Sequence, residues 1–111
     1  MNRTRLLGLT IATLFLAGCG TTKIGRIIAD PNRYQNRGVT VEGTVTNVVG
    51  AIVAGVYQVQ DDTGKIYVLS STGIPSKGVR VRVDGNVQPG LNLMGRNFGL
   101  TIRERSHKVR F

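Results

Sequence analysis

The chain is poor in the residues that most often carry chemistry. Its 111 residues hold one Cys, one His, no Trp, three Pro and only 6 Asp+Glu against 15 Lys+Arg. A single Cys cannot close an intramolecular disulfide, and one Cys with one His cannot assemble a self-contained zinc site of the usual Cys/His kind. So few carboxylates leave little from which to build a general acid and base of separated pKa. The 15 glycines follow no three-residue period and the apolar residues no heptad, which excludes collagen-like and long-coil architectures. The length suits one small domain and leaves no room for a second independent core. What is present is a basic chain of formal net charge +9, whose chemistry depends on where the cations are placed.

The amino end reads as an address. Arg3 and Arg5 precede twelve mostly apolar residues, Leu6 to Ala17. As a helix these would cover about 18 Å, against a hydrocarbon core of about 30 Å, so the layout is that of a secretory signal peptide and not of a membrane span. The run Leu16-Ala17-Gly18-Cys19 resembles the lipobox of bacterial lipoproteins, a Leu, two small residues and a Cys. That resemblance implies cleavage after Gly18, a diacylglycerol on the Cys19 thiol, and a fatty acid such as palmitate on the new amino terminus. Residues 1–18 are then a signal peptide, 19–23 a lipidated tether and 24–111 the domain. Gram-negative members of the family that stay at the inner membrane usually carry Asp after the Cys. Gly20 stands there, so the resemblance implies the outer membrane, facing the periplasm, in such an organism. The competing reading is a free or buried cysteine at the end of an N-terminal helix. Loss of Arg3 and Arg5 leaves 13 basic residues against 6 acidic.

The remaining chain is read as all-β after one short helix or turn. Ile24, Ile27 and Ile28 recur at helical spacing until Asp30-Pro31 stops them. From Val39 the apolar period is two. Val39, Val41, Gly43 and Val45 alternate with polar residues; Tyr57 and Val59 alternate with Gln58 and Gln60; Ile66 and Val68 alternate with Lys65, Tyr67 and Ser70. Asp61-Asp62-Thr63-Gly64 is a turn. Val79, Val81, Val83, Gly85 and Val87 form a fourth strand with Arg80 and Arg82 outward, and a fifth carries Leu100 and Ile102 inward with Thr101 and Arg103 outward. Five half-buried strands in so short a chain leave exposed edges unless the sheet closes into a barrel.

The segments Val39 to Val45, Tyr57 to Val68 and Gly78 to Gly85 resemble the OB-fold of the tRNA-anticodon and helicase type. They share its V-x-V-x-G-x-V, D-x-T-G-x-I-x-V and G-x-x-V-x-V-x-G runs. The resemblance implies a five-stranded Greek-key barrel. It departs from many OB-folds in one place, because Ser70 to Gly78 is too short and too rich in Gly and Pro for the usual helix between strands three and four. A five-stranded SH3-like barrel is the competitor.

Three candidate surfaces follow. Arg80 and Arg82 on strand four and Arg103 and Arg105 on strand five form one basic face, extended by Lys108 and Arg110, suited to phosphate or carboxylate groups. Gln58, Gln60, Lys65 and Tyr67 share the outer face of strands two and three, where nucleic-acid OB-folds stack bases. Ile52 and Val53 in one loop, with Leu93, Met94 and Phe98 in another, make an apolar rim. His107 is read as solvated in a basic tail and Asp61-Asp62 as turn residues. No catalytic set, metal site or cofactor motif stands out, and hydrolysis of an envelope polymer would need distant side chains to converge. The leading expectation is a lipid-anchored, non-catalytic module that recognises an envelope protein or an anionic glycan or lipid; the alternative is single-stranded nucleic acid. If Cys19 is the anchor, labelled fatty acid fed to expressing cells appears on the wild-type protein. Cys19→Ser then abolishes both the label and membrane association, and equal labelling of the two would reject the assignment.

Overall fold

The computed structural model describes residues 20–50, 55–93 and 95–110, with only the backbone of Leu93. Two short helices, α1 (Ile24–Ala29) and α2 (Pro31–Tyr34), precede β1 (Gly38–Gly50), β2 (Gly55–Gln60), β3 (Lys65–Ser70), β4 (Arg80–Gln88), β5 (Asn92–Leu93), β6 (Arg96–Asn97) and β7 (Thr101–Arg110). The alternation of β-branched residues sets the core. Val41, Val59, Val68, Val81, Val83 and Ile102 are fully buried, and a register slip of one residue in any strand would turn its set to solvent.

The long β1 serves two partners. Its first half, Gly38 to Thr44, pairs antiparallel with β4, and its second half, Thr44 to Gly50, pairs antiparallel with β2. β2 pairs antiparallel with β3, β3 runs parallel to β7 through Tyr67, Val68 and Leu69, and β7 runs antiparallel to β4. The sheet therefore closes in the order β1-β2-β3-β7-β4. This is the five-stranded Greek-key order of the OB-fold, and it sets aside the SH3-like alternative. Glycine is required where β1 and β4 bend. A Cβ on Gly43 would run into the Gln60 carbonyl, and one on Gly85 into the Arg103 carbonyl, so both positions exist for close backbone approach.

The ends of the barrel are covered by different means. α1 lays Ile24 and Ile27 into the core, while Ile28, expected to join them, remains 46% exposed. A six-residue helix has one buried stripe, and Ile28 falls beside it. Pro31 ends α1 and also opens α2, where its missing N–H costs nothing. Asn36 takes a left-handed φ of 62° to turn the chain into β1, which short polar Asn tolerates. Residues 71–79 contain no helix. They return along β1 instead, with Gly78 N–H donating to Val45 O at 2.7 Å and Val45 N–H to Val79 O at 2.9 Å.

Two expectations about facing are corrected. Ser70 is buried, because it shares the parity of Ile66 and Val68. Thr101 is buried too, its hydroxyl donating to Gly99 O at 2.8 Å, because β7 begins there with two successive inward residues. The segment between β4 and β7 also holds its own hairpin, β5 with β6. Val81→Ala removes fully buried volume and is expected to destabilise the domain by about 1–3 kcal/mol. Gly85→Ala adds a single methyl and is expected to cost at least as much, through displaced backbone. Urea melts of both variants check this, and a neutral Gly85→Ala would refute the close approach.

Candidate functional site

The placement of charge on the outside and of polar groups on the inside is set by one irregularity in β7. Asp84 pairs with Ser106 but Gly85 pairs with Glu104, so Arg105 is an extra residue on β7, a β-bulge. Before it Ile102 and Glu104 point inward; after it His107 and Val109 do. The alternating Arg80 and Arg82 of β4 then face Arg110 and Lys108 of β7 as direct cross-strand partners. Like charges opposite one another repel, and Glu42 of β1 lies among them: Arg80 Nη2 at 3.4 Å, Arg82 Nη1 at 3.9 Å and Arg110 Nη1 at 3.9 Å from its carboxylate.

The basic face is thus real but differently composed from the sequence expectation. Arg80 and Arg82 join Lys108 and Arg110, the two residues expected only to extend it. Arg105, pushed out by the bulge, pairs with Asp84 at 2.8 Å. Arg103 stands opposite Asn86, six residues along β4 from Arg80, or about 20 Å at roughly 3.3 Å per residue, and so belongs to the other end of the sheet. A shallow groove lined by Thr40, Arg82, Asp84, Ser106, His107 and Lys108 runs across this face.

Behind the basic face lies a buried polar cluster that the sequence reading missed. Glu104, expected in a solvated tail, has a side chain with no exposed surface. Its Oε1 accepts from the Tyr57 hydroxyl and lies 2.8 Å from His107 Nδ1; its Oε2 accepts from Ser70 Oγ at 2.8 Å and Thr72 Oγ1 at 2.6 Å. His107 is accordingly half-buried and not solvated, its ring edge-on to Tyr57 at 5.9 Å. An ionised carboxylate only accepts, so the Nδ1 facing it carries the proton. Burial pushes the Glu104 carboxyl up, but the hydroxyls of Thr72, Tyr57 and Ser70 and the charge of His107 together outweigh it and hold the group below its ordinary range. Burial, with the neighbouring carboxylate, drives the Tyr57 phenol upward, so it stays protonated as a donor. Among the described residues no hydrogen bond joins Ser70 to His107. They reach different oxygens of one carboxylate, which is not the nucleophile-to-base contact of covalent catalysis. Glu104 shares parity with Ile102, a signal available in the sequence; His107 does not, because the bulge intervenes.

The outer face of β2 and β3 carries Gln58, Gln60, Lys65 and Tyr67 as expected, but Tyr67 is half-buried. Phe98 packs edge-on against its ring at 5.0 Å, Asn47 Nδ2 donates to its hydroxyl at 3.2 Å, and Arg96 lies 4.9 Å from the Phe98 centroid. Phe98 is 9% exposed, which corrects its assignment to an exposed rim: covering Tyr67 buries it. Leu93 lies in β5 opposite Arg96. Ile52, Val53 and Met94 of the rim, and Cys19, fall outside the described residues.

The segment entering the barrel is fastened at successive points. Arg82 Nη2 donates to Gly20 O at 3.3 Å, Thr22 N–H to Thr40 O at 2.7 Å, and Lys23 Nζ pairs with Asp62 at 2.9 Å. The Asp61 carboxylate holds its own turn through Thr63 and Gly64 and accepts the Ile24 N–H at 2.9 Å, while Gly25 N–H donates to Thr63 Oγ1 at 2.8 Å. The expected turn residues thus also seat α1.

No protein-family profile and no curated protein matches the sequence. Solved structures do match the fold. The chain is 18% identical to a lysozyme-binding OBody, AM3L09, solved on hen egg-white lysozyme, with a TM-score of 0.61 over 80% of this chain and 93% of that one. It is 15% identical to the hypothetical protein YgiW from E. coli, with a TM-score of 0.57 over 81% and 89%. Asparaginyl-tRNA synthetase from Pyrococcus horikoshii is 16% identical, with a TM-score of 0.56 over 69% of this chain. The chain spans only 20% of that enzyme's length. These likenesses establish the OB-fold.

The depressed Glu104 pKa fixes a pH dependence. A carboxyl whose folded pKa lies below its unfolded value of about 4.3 binds its proton more readily when unfolded, so its stabilisation is complete above that value and is lost as pH falls through the folded pKa. Glu104→Gln, which leaves buried hydroxyls poorly paired, is expected to cost about 1–3 kcal/mol near neutrality. The gap between variant and wild type should close in melts taken at descending pH below about 4. A gap that persists unchanged in acid would show that the carboxylate charge contributes nothing.

Proposed function

We propose that this chain is a non-catalytic binding module of the cell envelope, held to a membrane by acylated Cys19 and engaging an anionic partner through Arg80, Arg82, Lys108 and Arg110. The observation that carries the reading is the β4–β7 register, which gathers four cations on one face with Glu42 as the carboxylate among three of them. Guanidinium forks suit carboxylate and phosphate oxygens, and the candidate partners are an envelope protein, an anionic glycan or a lipid headgroup. The lipobox-like tetrapeptide supports the location.

A second reading, single-stranded nucleic acid on the β2–β3 face, draws on Lys65, the two glutamines and Tyr67 lying side by side. Against it, Tyr67 already spends part of its ring on Phe98, which leaves less surface for a stacked base.

Titration of the detergent-solubilised full chain with a soluble anionic polymer and, separately, with mixed-sequence single-stranded DNA separates the readings. The basic-face reading expects salt-sensitive polymer binding that falls at least tenfold in Arg80→Gln/Arg82→Gln/Arg110→Gln and is unchanged in Tyr67→Ala. DNA binding with a log–log salt slope of about −0.7 per neutralised phosphate, lost in Tyr67→Ala and kept in the triple variant, would replace it with the second.

A further inference from the structure

We propose that the anionic partner of the basic face is the headgroup surface of the membrane holding the protein's own anchor, so that the barrel lies with β4 and β7 against the bilayer and β2 and β3 turned away. The inference rests on the acylation of Cys19 assumed above and names the partner of that same face.

The geometry of the entering segment carries it. A lipid-bearing residue preceding Gly20 begins one peptide link away, about 3.8 Å from Cα to Cα. Gly20 is not at the end of a free linker. Its carbonyl accepts from Arg82, Thr22 is bonded to β1 at Thr40, and Lys23 and Ile24 are bonded to the β2–β3 turn at Asp62 and Asp61. Gly20, Thr21 and Thr22 share a groove with Thr40, Asp84 and Arg105. The chain therefore leaves the barrel beside β4, between Arg82 and Arg105. Arg80, Arg82, Arg105, Lys108 and Arg110 surround that exit or continue from it along the two strands, against the carboxylates of Glu42 and Asp84. Cations beside that exit would meet an anionic surface within roughly the 8 Å screening length of physiological salt, short of the distance at which exposed charges are largely screened. A soluble polyanion would have to compete for this face with a bilayer the tether already brings to it. In the ring order of the strands β4 borders β1 and β7 and not β2 or β3. Gln60 and the β2–β3 turn still lie beside Arg80, so the part of the β2–β3 face turned away is that of Gln58 and Tyr67, two residues further along each strand.

Acylation consumes Cys19, which leaves an introduced cysteine as the sole thiol for a dye. The acylated full chain is reconstituted into nanodiscs of phosphatidylcholine alone or with a third of phosphatidylglycerol, containing headgroup-quencher lipid, with the dye at Ser106→Cys or Gln58→Cys. The expected result is strong quenching at position 106, weak quenching at 58, and a contrast that fades in phosphatidylcholine alone, in high salt, and in Arg82→Gln/Lys108→Gln/Arg110→Gln. Each cation removed should weaken membrane contact about five-fold. Equal quenching at both positions in the anionic discs, or a contrast indifferent to charge, overturns the orientation. If the acylated protein then still binds the soluble anionic polymer through the same cations, only this inference falls. Absence of acylation by mass spectrometry removes the envelope reading and this inference together.

Discussion

The extra residue at Arg105 is the constraint on which the rest of the molecule depends. β7 must lie parallel to β3 through its first residues and antiparallel to β4 along nearly its whole length. A strand with strict two-residue alternation would keep one parity facing the core from end to end. By inserting Arg105 the chain reverses parity midway, so Glu104 and His107, three residues apart, both face inward. Lys108 and Arg110 consequently stand outside, opposite Arg82 and Arg80. Without the bulge either Glu104 or His107 would leave the interior, and the cations of β7 could not align with those of β4. Gly85 is the counterpart of this device, since its missing Cβ admits the Arg103 carbonyl.

The interior arrangement is unusual for so small a barrel. A carboxylate buried without partners is costly, and the Glu104 side chain has none of its surface exposed. It is retained because both oxygens are supplied with donors from three separate parts of the chain: Tyr57 on β2, Ser70 and Thr72 at the end of β3, and His107 on β7 itself. No buried side-chain polar atom among the described residues is left without a partner. The cluster therefore ties β2, β3 and β7 together where the parallel pairing has run out, with geometry that apolar packing alone would not specify.

Much of the barrel was legible in the sequence because its signal is local and repeated. Val39 to Val45 and Val79 to Val87 alternate cleanly, and the glycines at 43 and 85 mark the two bends. The interior cluster was not legible, since polar residues near a chain end read as solvated unless strand parity is followed past Ile102, and the bulge hides His107 even then. The composition of the basic face depended on register between β4 and β7, which no single strand encodes. Placing Arg103 and Arg105 beside Arg80 and Arg82 assumed that the strands pair from the wrong ends. The Phe98 assignment failed for a further reason: an apolar residue in a connecting segment gave no sign that an aromatic on another strand, Tyr67, would receive it.

The fastening of the amino-terminal segment also bears on the order of folding. Its partners lie far along the chain, with Ile24 bonded across 37 residues to Asp61, Lys23 across 39 to Asp62, and Gly20 across 62 to Arg82. Contacts of such sequence separation form only after the intervening chain has been brought together. This segment is made before its partners and is therefore the last to be latched, and until then residues 20–23 have no partner among these to hold them. A chain gripped at its amino end while the rest emerges would lose nothing needed for barrel closure. The latch would engage afterwards and convert a loose leash into a rigid mount.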